Sequence, residues 1–202
     1  MWPLNGPMAL AAVLLEAPTR VRAEPVRAMW VTWVAAARRG DHEAFNALHR
    51  HFGRVVHAIV LTRVGAADAA DLVQDVFLQV FQKLHTLEDD QAFPAWLSQL
   101  ARNRASRHVR DAKRSSTLDE APVAAMDHSA SPDAKKIVRA LQALPEAYAE
   151  TLAMRLIEGL TGPEISERTG LTPGSVRVNL HRGMALLREK LGLTPAEVSH
   201  DD

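Results

Sequence analysis

The chain has 202 residues, with 47% hydrophobic and 5% aromatic content and a formal net charge of +0. That is enough apolar material for two small cores or one ordinary one. Cysteine is absent, which excludes disulfides, thiol catalysis and zinc fingers and suits a reducing, cytoplasmic setting. No stretch alternates apolar and polar residues over strand lengths, so the expected fold class is all-α. No apolar run reaches the roughly 20 residues of a membrane span, so no membrane insertion is expected.

At the start, Met8 to Leu15 is strongly apolar, but no cation precedes it as in a secretory signal. With prolines at 3, 7, 18 and 25, residues 1–28 are expected to be a disordered extension. Met29 is an alternative start. From Trp30 to Arg63 the apolar residues follow helical spacing, broken near Gly40, and Asp41 is a natural N-cap for the longer of two helices. A third helix runs from about Ala66 to His85, with Leu72, Val73, Val76, Phe77, Val80, Phe81 and Leu84 on a wide apolar stripe. A fourth opens near Pro94, a first-turn proline, and continues through Trp96, Leu97, Leu100 and Ala101.

Net neutrality conceals a local excess. Between Trp96 and Arg114 stand Arg102, Arg104, Arg107, Arg110, Lys113 and Arg114, opposed only by Asp111. A helix so charged attracts phosphate. After it, Ser115 to Pro132 is rich in Ser, Ala, Asp and Pro without periodicity, which reads as a flexible linker. The expected division is therefore a helical domain at 29–114, a linker at 115–134, a smaller helical domain at 135–193 and a tail at 194–202.

The second domain carries the sharpest local pattern. Helices are expected from about Asp133 to Leu144 and from Pro145 to just before Gly159. Two more follow, with Pro163 and Pro173 in first turns and Gly162 and Thr172 as N-cap candidates. Gly170 and Gly192 stand where helix ends favour left-handed backbone. On the last helix Val176, Leu180, Leu187 and Leu191 share one face, while Arg177, Val178, His181 and Arg182 share another. A helix, a short turn opening on Gly, and a helix with exposed Arg is the pattern of a helix-turn-helix whose second member enters the DNA major groove.

Two motifs together carry a family resemblance. Asp68 to Leu84, DAADLVQDVFLQVFQKL, with Phe93 to Asn103, FPAWLSQLARN, closely resembles region 2 of the extracytoplasmic-function sigma factors of bacterial RNA polymerase. Leu141 to Leu191, with LQALPEAY and the helix-turn-helix, resembles their region 4. The resemblance covers about residues 41–114 and 135–193. It implies a non-catalytic protein, without metal or cofactor, that binds the polymerase core and directs promoter-specific initiation.

By that resemblance Asp71, Gln74, Asp75 and Gln79 face the clamp of the largest polymerase subunit, and region 4 rests on the flap of the second-largest. Gln99, Asn103 and Arg107 hold the melted minus-ten element, with Arg102, Arg104, Arg110, Lys113 and Arg114 on phosphates. Asn103 offers both donor and acceptor to an unpaired base edge. Arg177, Val178, His181 and Arg182 read the minus-thirty-five element, where Arg can grip guanine bidentately and Val can meet a thymine methyl. Ser175, at the helix start, suits a phosphate. An anti-sigma factor is the implied inhibitor. The sequence departs from common family residues at Arg107, Val178 and Asn179, which bears on the promoter preferred.

Two other classes fit the sequence less well. A ligand-responsive helix-turn-helix regulator acting without polymerase has little reason to carry the cationic run after Trp96. A metal enzyme is suggested only by nine His, and His49, His51 and His57 lack the pairing with a carboxylate that a metalloprotease helix needs.

Overall fold

A computed structural model of the chain describes residues 24–116 and 132–193. Eight α-helices account for most of these residues, and no strand occurs among them. The expected all-helical class holds.

Helix α1 (Glu24–Arg38) starts inside the stretch expected to be disordered, and residues 1–23, including Met8 to Leu15, lie outside the described residues. Helix α2 (His42–Leu61) follows a break at Gly40. Asp41 caps it, its carboxylate accepting from the amides of Glu43 at 2.9 Å and Ala44 at 3.1 Å. Helix α3 (Ala66–Lys83) tightens into a 3-10 turn at Leu84–Thr86. A second such turn, Asp90–Ala92, is held by the Asp89 side chain and leads into α4 (Phe93–Ser116).

The second half comprises α5 (Pro132–Gln142), α6 (Glu146–Leu156), α7 (Gly162–Thr169) and α8 (Pro173–Leu191). Thus α4 runs two residues into the stretch expected to be linker, and α5 begins within it; residues 117–131 lie outside the described residues.

Aromatic stacking organises the first half. Trp30 meets Phe52 edge-on at 5.9 Å, and Phe52 meets Phe93 at 5.1 Å, so α1, α2 and α4 share one buried seam. Leu48, Val55, Val56 and Ile59 from α2, with Leu72, Val76 and Val80 from α3, complete it. Phe81 departs from the expected stripe: it is 55% exposed, stacked on His42 and edge-on to Phe45. It sits at the stripe's margin, packed on one side by these two α2 residues and open to solvent on the other, while Leu84 beyond it is buried.

In the second half, Leu141, Leu144, Leu152, Leu160, Ile165, Val176 and Leu187 are buried. These residues and those of the first half form one contiguous cluster. The two halves therefore pack on each other.

Candidate nucleic-acid interface

The helix-turn-helix is built by local chemistry. Thr161, not the expected Gly162, is the N-cap of α7, and it forms a reciprocal capping box with Glu164: the Thr161 amide donates to the Glu164 carboxylate at 2.9 Å. Pro163 stands one position further in than the pattern suggested. Burial alone would raise the Glu164 carboxyl. The bonds from Thr161, with Arg168 and Arg54 nearby, outweigh it and hold the group below its ordinary value. Gly170 closes α7 at φ 76°, a left-handed conformation that side chains disfavour. Thr172 then caps α8 through the Ser175 amide at 3.1 Å, as expected.

Helix α8 crosses α6 closely at Gly183, where an added Cβ would lie 3.0 Å from Leu152 Cδ1 and from Tyr148 Cβ. Asn179 points inward, donating to the buried hydroxyl of Thr151 at 3.3 Å. This fixes the rotation of α8 and leaves Arg177, Val178, His181 and Arg182 exposed together on the outer face. Ser175 is half-buried at the helix start, its hydroxyl beside that of Thr172 at 2.8 Å.

The second cationic face lies on α4. Gln99, Asn103, Arg107, Arg110, Lys113 and Arg114 are exposed, while Arg102 and Arg104 are half-buried. The Gln99 amide donates to Asn103 Oδ1 at 3.0 Å, which orients the Asn103 side chain. Arg104 reaches back to Asp75 on α3. Asp71 and Gln74 are exposed on α3, and Asp75 and Gln79 half-buried. The sequence reasoning missed Leu78, 56% exposed on this same face. Its signal was its position one helical turn beyond Gln74 and Asp75 and two beyond Asp71.

Arg102 differs from the expected free phosphate contact. Its Nε and Nη2 donate to the Glu150 carboxylate at 3.0 and 2.8 Å, and Nε also lies 3.1 Å from Glu146. The hydrogen bond to Glu150 raises the Arg102 pKa against the opposing effect of burial, and the charges of Glu150 and Glu146 add to it. The expectation overlooked this because Glu146 and Glu150 belong to the other half of the chain.

Residues 48–115 match the model of Sigma-70 region 2, and residues 134–187 match that of Sigma-70 region 4. The chain is 33% identical over 170 residues to the RNA polymerase sigma factor CarQ of Myxococcus xanthus, covering 80% of this chain and 97% of that protein. The chain belongs to the sigma-70 family, in its extracytoplasmic-function branch. The ECF RNA polymerase sigma-E factor of Escherichia coli is 26% identical over 175 residues, covering 78% of this chain and 92% of its own. A solved structure of CnrH in complex with the cytosolic domain of CnrY shares the fold, with a TM-score of 0.54 at 24% identity over 80% of this chain and 96% of that one.

In this sigma factor α3 and α4 lie in region 2 and α6 to α8 in region 4, so the two cationic faces fall in separate regions. A region 2 match in the first half leaves the ligand-sensing regulator without support. No helix among the described residues is long and apolar enough to cross a membrane.

Proposed function

We infer that this sigma factor joins the RNA polymerase core and directs it to promoters, with the work divided between its regions at specific residues. Region 2 engages the clamp of the largest subunit through Asp71, Gln74, Asp75 and Gln79 on α3, and Leu78 adds an apolar contact beside them. Helix α4 holds the melted minus-ten strand: Asn103, oriented by Gln99, meets an unpaired base, and Arg102, Arg104, Arg107, Arg110, Lys113 and Arg114 meet phosphates.

Region 4 reads the minus-thirty-five duplex. Arg177, Val178, His181 and Arg182 line the outer face of α8, and Ser175 with the first-turn amides suits a phosphate. The observation that carries this division is the pair of cationic faces, one on each family region, each turned away from its own core. Bond making belongs to the polymerase, so the protein works by binding and positioning. The reading places it in the cytoplasm, where its template and polymerase are, with the second-largest subunit's flap as region 4's support and an anti-sigma factor as inhibitor.

Run-off transcription tests this reading. Purified core polymerase, with and without the protein, is supplied with genomic promoter fragments. Discrete transcripts dependent on the protein are expected; core that neither binds it nor starts RNA overturns the reading.

A further inference from the structure

The seam between the halves is lined by matched charges. Arg63, just past the end of α2, contacts Glu146 through Nη2 at 2.7 Å and Glu150 through Nη1 at 2.8 Å. Arg102 grips the same two carboxylates from α4. Glu150, 4% exposed, is thus enclosed by two region 2 arginines. Nearby, Gln142 Nε2 donates to the carbonyls of Leu61 at 3.0 Å and Val64 at 2.8 Å, so a region 4 side chain caps a region 2 helix. Beyond them His57 bonds Glu158, and His51 Nε2 lies 3.2 Å from Glu167. Acids on α6, on α7 and in the turn between them thus meet arginines and histidines of α2, of its C-terminal flank and of α4.

This arrangement is incompatible with engaging both promoter elements. Their names place them about 25 base pairs apart, roughly 80 Å of duplex at about 3.4 Å per pair. A compact body of this length measures roughly 40 Å across. Residues 117–131, drawn out fully, reach roughly 50 Å, so the halves can part without breaking either core.

We propose that this packed form is a closed state of the free sigma factor, latched by Glu146, Glu150 and Gln142, in which the Glu150 carboxylate takes the place of a DNA phosphate on Arg102. The latch withholds a minus-ten contact from DNA until region 4 is drawn away. The withholding rests on the reading of Arg102 as a phosphate contact; the closure does not. Binding to region 2 alone is then weakened by the fraction of molecules that are open, and a closed population of roughly nine in ten lowers the apparent affinity roughly tenfold. A seam of charges also loosens as salt screens it.

The chain has no cysteine of its own, so Glu43→Cys and Glu189→Cys, at exposed positions in the two halves, carry a donor and an acceptor dye without background. Energy transfer in the full-length protein is expected to be high in low salt and to fall in molar salt. Glu150→Gln, which keeps the shape and removes the charge, and Gln142→Ala, at an exposed position, are each expected to lower it in low salt with helical circular dichroism reduced by no more than the last turn of α2. If Glu150→Gln fails to fold, Gln142→Ala decides.

In the same low-salt buffer, affinity for a fluorescent mixed-sequence single-stranded oligodeoxynucleotide is expected to rise roughly tenfold in the opened variants. Transfer that ignores salt and substitution overturns the latch. Opening without a gain in oligonucleotide affinity overturns the withholding of Arg102. Run-off transcription by the wild-type protein is scored separately, so loss of the sigma reading and loss of the latch give different results.

Discussion

Asp75 on α3 receives both Nε and Nη2 of Arg104 on α4, joining a proposed polymerase contact to a proposed DNA contact by one ion pair. Both side chains are partly exposed, at 45% and 25%, so the pair itself contributes little to folding, about 0–1 kcal/mol. Asp75→Asn is expected to leave thermal unfolding almost unchanged while weakening core binding in a pull-down or by polarisation. A shift in core affinity that vanishes when Arg104 is also changed to Ala would mean that Asp75 acts only by holding Arg104.

Arg182 is exposed on the outer face of α8 with no ion pair among the described residues. Arg182→Ala is expected to weaken recognition of the preferred minus-thirty-five site by about 1–3 kcal/mol and to relax preference at one base. Transcription from a panel of single-base variants of that site measures this. An unchanged preference at every position removes the assigned role.

Gly183 sets how deeply α8 seats on α6. Replacing a mid-helix Gly with Ala ordinarily gains about 0.5–1 kcal/mol, but here the new methyl meets Leu152 and Tyr148 at 3.0 Å, and overpacking of this kind costs about 1–3 kcal/mol. The cost outweighs the gain, because the atom met on Tyr148 is its Cβ and cannot swing aside. Gly183→Ala is expected to be destabilising by about 1 kcal/mol in urea unfolding; a more stable variant would show that α8 can shift outward freely.

The Thr161–Glu164 capping box supplies a pH-dependent term. Glu164 ionises below its ordinary value in the folded protein, so its contribution is complete above the unfolded carboxylate pKa of about 4.3 and is lost as pH falls through that value to the lower folded one. Glu164→Ala is expected to cost about 1 kcal/mol at neutral pH. The gap between variant and wild type in denaturant unfolding should narrow on acidification. A gap equally wide in acid would show that the Glu164 charge contributes nothing.

Local chemistry was readable from the chain, and contacts between distant segments were not. Asp41, Thr172 and Gly170 act as their positions suggested, because caps and helix ends depend on neighbours within a few residues. Thr161 was missed because Pro163 suits either of the first two helical positions, and only the reach of Glu164 back to the Thr161 amide decides between them. Periodicity gave α3 its buried stripe but could not show that Phe81, at its margin, stays half open to solvent while Leu84 beyond it is covered. The partners of Arg102 lie more than forty residues away, and nothing in its own helix announces them. Asn179, a departure from the family's usual residue, looked like a change in promoter preference, yet its amide is spent on Thr151 inside the fold.

The Gln142 amide has a consequence at some distance from either DNA face. It is the donor that the Leu61 and Val64 carbonyls find at the finishing turn of α2. Helix ends without such donors fray into water. Drawing region 4 aside therefore softens the far tip of region 2, so that where one lobe sits is transcribed into how firmly the other is wound.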